Sequence, residues 1–82
     1  MKILIDVFVP ATGKVYNMWI PQETTVNYIL EQIKKVVAKM HEDAFIPDEN
    51  TVICLQNDGK ILNVNMSIAE SGIGNGSRLM LV

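Results

Sequence analysis

The last stretch of the chain, Ser67 to Val82 (SIAESGIGNGSRLMLV), restricts what the whole can fold into more than any other. Ser67 and Glu70 stand at capping-box spacing, where each side chain satisfies a free backbone N–H at the start of a helical turn. Gly72 follows where a left-handed residue would end that turn. Ile73 is the only large apolar residue before the turn dipeptide Asn75-Gly76 and is expected to be buried as a plug. Arg78 to Val82 then reads as a strand, with Leu79 and Leu81 on one face and Met80 and Val82 on the other. A strand apolar on both faces is seldom an edge, so it is expected between two neighbours inside a sheet.

The preceding chain supplies those neighbours. Ile3, Ile5, Val7 and Val9 alternate with Leu4, Asp6 and Phe8, and Pro10-Ala11-Thr12-Gly13-Lys14 breaks the run. A second run, Val15 to Ile20, makes a hairpin with the first. Tyr16, Met18 and Ile20 are assigned inward, and Val15, Asn17 and Trp19 outward, because the opposite choice buries Asn17 and exposes Ile20. Pro21 stops the strand. Thr24-Thr25 offers an N-cap, with Glu23 placed to favour the helix dipole. Val26, Ile29, Leu30, Ile33, Val36, Val37 and Met40 recur at helical spacing, which predicts a helix from Val26 to about His41, about 24 Å long. Glu31 and Lys35 are spaced to pair on its exposed side.

Beyond the helix, Glu42 to Asn50 is polar apart from Ala44-Phe45-Ile46. Thr51 to Gln56 reads as a third strand, with Ile53 and Leu55 inward and Val52 and Cys54 outward. Asn57-Asp58-Gly59 is a tight turn, and Lys60-Ile61-Leu62 is long enough only for an edge strand. The expected core is Ile3, Ile5, Val7, Met18, Ile29, Ile33, Leu55, Ile73, Leu79 and Leu81.

The series Gly72-Ile73-x-Asn75-Gly76-x-Arg78-Leu79-x-Leu81 resembles the C-terminal signature of the YukD/EsaB family. Those are small bacterial ubiquitin-like proteins associated with type VII (WXG-protein) secretion. The order of elements agrees with the α+β, β-grasp (ubiquitin-like) arrangement. It has a four- to five-stranded mixed sheet packed on one main helix, plus a short helical turn, with the last strand parallel to the first. Ile46-Pro47-Asp48 resembles the Ile-Pro loop that follows the main helix of ubiquitin. The likeness covers residues 1–82 as a single ubiquitin-like domain, although only the final stretch carries specific residues.

Several chemistries fall away. Ubiquitin and the sulfur carriers of the same fold need a flexible tail ending in Gly-Gly, whereas this sequence ends Leu79-Met80-Leu81-Val82 within the expected strand. With Val82 as the terminus, no conjugation is expected, and the YukD/EsaB family also lacks that tail. Gly72-x-Gly74-x-Gly76 leads into a strand rather than a helix N-terminus, so its glycines are expected to serve backbone conformation and not a phosphate. His41 is the sole histidine and Cys54 the sole cysteine. A zinc site wants several such ligands and an iron–sulfur site four cysteines, so no metal or other cofactor is expected. Nothing in their spacing pairs Cys54 with His41 as nucleophile and base, and no enzyme reading survives.

A formal net charge of −2 over 82 residues argues against nucleic acid, and Lys34, Lys35 and Lys39 read as a solvated helix face. No apolar run reaches the ~20 residues of a membrane span. Asp6 interrupts any leader, and a lone cysteine fits a reducing compartment, so the expected location is the cytoplasm.

What remains is the sheet face away from the helix. Leu4, Phe8, Val15, Trp19, Val52, Cys54, Met80 and Val82 are all assigned to it, where a one-layer sheet should be polar. Such a patch marks a protein interface. By resemblance, its partners are components of the secretion machinery, including membrane proteins with ubiquitin-like or ATPase domains; a weak homodimer is a further option. Two other readings stand beside the accessory protein: an excised ubiquitin-like domain of a larger membrane protein, and a covalent modifier or sulfur carrier without its tail. The reading frame beyond Val82 separates the three.

Overall fold

The computed structural model describes residues 1–40, 49–57 and 59–82. The chain forms β1 (Lys2–Val9), β2 (Lys14–Pro21), α1 (Val26–Met40), β3 (Ile53–Leu55), α2 (Ile68–Ser71) and β4 (Arg78–Leu81). The four strands make one mixed sheet in the order β2-β1-β4-β3. β1 is antiparallel to β2 and parallel to β4, and β3 is antiparallel to β4. This is the β-grasp arrangement, with the closing strand inside the sheet.

Alternation decides which residues face the helix. Ile3, Ile5, Val7 and Val9 of β1 are buried, as are Ile20, Ile53, Leu79 and Leu81 from the other strands. They join Val26, Ile29, Leu30, Ile33 and Val37 of α1, together with Leu62, Ile68 and Ile73, in one cluster. Met18 and Leu55, expected fully inside, are partly buried against its rim. Val36 is half-buried at the margin of the helix stripe.

The first turn of α1 leaves backbone N–H groups without helical acceptors. Thr25 caps it, its Oγ1 accepting from Tyr28 N at 3.2 Å. Val26 N and Asn27 N donate to the carbonyls of Met66 (2.9 Å) and Val64 (3.0 Å). The segment ahead of α2 thus completes the start of α1, and Ile68 N donates back to Thr24 O at 2.8 Å. Glu23 takes a different part from the dipole role expected of it. Its carboxylate accepts from the Met1 ammonium at 2.7 Å, and this hydrogen bond holds its pKa below the ordinary value. On the far side of α1, Glu31 pairs with Lys34 at 3.1 Å rather than with Lys35.

The closing stretch is laid out as its spacing implies. Glu70 N donates to Ser67 Oγ (3.1 Å), Ser67 N donates to Glu70 Oε1 (3.4 Å), and Gly72 ends α2 at φ +87°. Asn75 and Gly76 then grip β1. Leu4 N donates to Asn75 Oδ1 at 2.8 Å, and Gly76 N donates to Leu4 O at 2.7 Å. These two bonds set the β1–β4 register, and a slip of one residue would turn every side chain of β4 to the wrong face.

At the other edge, Lys60-Ile61-Leu62 falls short of a strand. It makes one isolated bridge, Ile61 to Cys54, so the sheet has four strands among the described residues. Leu55 N donates to Lys60 O and Leu62 N to Ile53 O, both at 3.0 Å, so the segment still covers β3. His41, the Ala44-Phe45-Ile46 and Ile46-Pro47-Asp48 segments, and Asp58 of the expected turn lie outside the described residues.

Candidate protein-interaction face

The register converts the outward residues of each strand into rows across the sheet. One row holds Trp19 and Leu4, paired across β2 and β1. The next holds Asn17, Asp6 and Arg78. Gln56 joins its end, since Gln56 N donates to Arg78 O at 3.0 Å. A third row runs Val15, Phe8, Met80, Cys54 and Ile61 across all four strands and the bridge beyond. Val52 and Val82 close the face, bonded to each other through both backbones at 2.9 and 3.0 Å.

The rows correct the expected patch in three ways. First, it is not continuous. Asn17, Asp6 and Arg78 run between the Trp19–Leu4 pair and the long apolar row, and the Asn17 amide donates to the Asp6 carboxylate. A depression of about 270 Å³ lined by Asp6, Val15, Gln56 and Arg78 marks this polar seam. Second, Leu4 shares the face with Met80 and Val82 but stands apart from them. The parallel register matches Phe8 with Met80 and leaves Leu4 bonded to Asn75 and Gly76. Third, Cys54 points outward but is only 3% exposed. Its short side chain sits between Met80 and Ile61, and its thiol lies 3.6 Å from Met80 O. Cys54 is part of the sheet's filling, unable to touch a partner.

The accessible apolar surface therefore falls into two unequal parts. The larger contains Val15 (57% exposed), Phe8, Met80, Ile61, Val52 and Val82, and the smaller contains Trp19 (65% exposed) and Leu4. Phe8, Met80, Val52 and Leu4 are each half-buried, with one side available. Ile61 was missed from sequence. Its signal was its short spacing from Cys54: Gly59 N donates to Leu55 O at 2.9 Å, and Ile61 bridges Cys54.

A second hollow, about 700 Å³, lies at the end of β3 and β4, lined by Leu55, Gln56, Asn57, Gly72, Gly76, Ser77 and Arg78. Among the described residues of that lining, Arg78 is the one charged side chain. Among the described residues no three His, Cys, Asp or Glu side chains come together, and no helix is long and apolar enough to cross a membrane. The outer face thus sets exposed apolar side chains beside a polar seam, a mixture that protein interfaces also show.

No family model matches the chain, and no curated protein does. Solved structures do. A chain of the MycP5-free ESX-5 inner membrane complex superposes with a TM-score of 0.81 at 18% identity, over 99% of this chain and 20% of that one. The chain thus spans a fifth of that neighbour's length. The EccD5 ubiquitin-like domain from Mycobacterium xenopi gives 0.80 at 17% identity, covering 100% of this chain and 93% of that one. The ubiquitin-like domain of the Mycobacterium tuberculosis type VII secretion system protein EccD1 gives 0.76 at 13% identity, covering 100% and 98%. The fold is ubiquitin-like. Identities this low speak for fold alone, and one fold serves many tasks.

Proposed function

We propose that the chain is a non-enzymatic, ubiquitin-like interaction module of a type VII-like secretion system, acting non-covalently in the cytoplasm. Its partner, a component of the secretion machinery, docks on the outer sheet face. The observation that carries the proposal is the row Val15–Phe8–Met80–Ile61, an apolar band on a face where a one-layer sheet should be polar. The polar seam of Asn17, Asp6 and Arg78 beside it orients the partner, and Trp19 with Leu4 makes a second contact across the seam. Likeness to the EccD ubiquitin-like domains supports the choice of secretion machinery, as does the Gly72-to-Leu81 signature.

A second reading has its own observation. The ESX-5 neighbour is a much longer chain of which this one covers 20%, so the same domain as part of a larger membrane protein is the alternative. Both readings use the outer face, and the reading frame around the domain distinguishes them.

The test is secretion of the small helical WXG proteins in the native host. Phe8→Asp is expected to accumulate as folded protein, with a melting temperature close to that of the parent, while the secreted proteins fall about tenfold or more, the loss of an interface anchor worth ~2 kcal/mol. Undiminished secretion by a stably folded Phe8→Asp chain would remove the outer face from the function.

A further inference from the structure

The open edge of β2 is set by its backbone groups and adjoins the sheet's outer face, with which it shares the side chains of Val15 and Trp19. The geometry points to self-association of this chain through that edge: two copies pair β2 with β2, antiparallel about a twofold axis at Asn17, into one continuous sheet.

Hydrogen-bond direction comes first. Gly76 N donates to Leu4 O and Asp6 N donates to Ser77 O, so the even-numbered residues of β1 turn their backbone groups toward β4. In an antiparallel pair the bonded residues alternate, and Ile3, Ile5, Val7 and Val9 are therefore the ones bonded to Ile20, Met18, Tyr16 and Lys14. The N–H and C=O groups of Val15, Asn17 and Trp19 then point away from the sheet. Among the described residues β2 pairs only with β1.

Edges are normally protected by charge, proline, a bulge or brevity. β2 is eight residues long, and its lone charge, Lys14, and its proline, Pro21, both lie at its ends. The opposite edge is covered by Lys60 to Leu62. With one open edge among the described residues, a matching copy gives a closed pair and not a filament.

The occupant follows from self-complementarity. With Asn17 opposite Asn17 of the second copy, Val15 faces Trp19 and Trp19 faces Val15, all with outward backbone groups, giving about six hydrogen bonds. The two most exposed apolar side chains of β2, Trp19 at 65% and Val15 at 57%, cover one another. Tyr16 meets Met18 on the inner face, and Lys14 meets Ile20, which keeps the two lysines apart. The buried area decides the strength. An aromatic side chain buries on the order of 150–250 Å², so two short strands with two tryptophans reach on the order of 1,000 Å² in all, below the 1,200–2,000 Å² of stable complexes. The pair is a weak one, formed at high local concentration.

The full chain tests this with its own reporter, because Trp19 is its sole tryptophan. Raising the concentration from micromolar to millimolar is expected to move sedimentation from one copy to two and shift Trp19 emission to the blue. Exchange of the Val15, Asn17 and Trp19 amides should slow about tenfold as the edge closes. Asn17→Lys, which places two ammonium groups at the axis, should remain folded and monomeric throughout; Val15→Lys serves the same end should that variant unfold. A monomer at millimolar concentration overturns the proposal, as does association that leaves those three amides exchanging as in dilute solution. Protection that appears only on adding an unrelated extended peptide also overturns it, since the edge would then be a peptide site.

Discussion

At the scale of single residues, the closing stretch depends on backbone conformation more than on contact. Gly72 lies at φ +87° and Gly76 at +85°, a region L side chains enter at a cost of ~1–2 kcal/mol. A methyl group added at Gly72 would meet nothing within 4 Å, so its cost is purely conformational. Gly72→Ala is therefore expected to lower stability by about 1–2 kcal/mol in urea denaturation. Gly74→Ala, at a position outside the left-handed region and equally open, should change it by less than half as much. Equal losses at both positions would mean the loop is held by something other than backbone conformation. These roles were legible from Ser67-x-x-Glu70, Gly72 and Asn75-Gly76 because capping and turn chemistry are local. The grip of Asn75 on Leu4 was not, since it joins residues at opposite ends of the chain.

At the scale of elements, hydrophobic period was enough to place β1, β2, α1 and β4 and to assign their faces. Ile33 lies in the middle of the α1 stripe, fully buried. Ile33→Ala should cost roughly 2–5 kcal/mol, a large share of the stability of a domain this small. A melting curve shifted no more than that of Lys35→Ala would contradict the packing. What period cannot supply is register. Asp6, Asn17 and Arg78 each alternate outward in the sequence, but only the pairing of Asp6 with both others shows that they form one seam. Burial of Cys54 was hidden for a related reason: alternation gives direction, whereas exposure depends on the size of the side chains on neighbouring strands. Whether Lys60-Ile61-Leu62 would add a fifth strand was left open by a segment so short, and it makes a single bridge to β3.

At the scale of the whole molecule, the sheet has two faces of different make-up. One is sealed by α1, α2 and Ile73 and holds the fold together. The other carries an apolar band that the core does not need, so changes there should separate binding from stability. Site-specific photo-crosslinking in the native host tests that separation. Phe8 on the outer face and Tyr28 on the exposed side of α1 are both aromatic, so each can be replaced by p-benzoylphenylalanine with little change in shape. The expected result is a covalent adduct from position 8 to a component of the secretion machinery, and none from position 28. Adducts from position 28 alone, with a folded and silent position 8, would place the partner on α1 and leave the outer face idle.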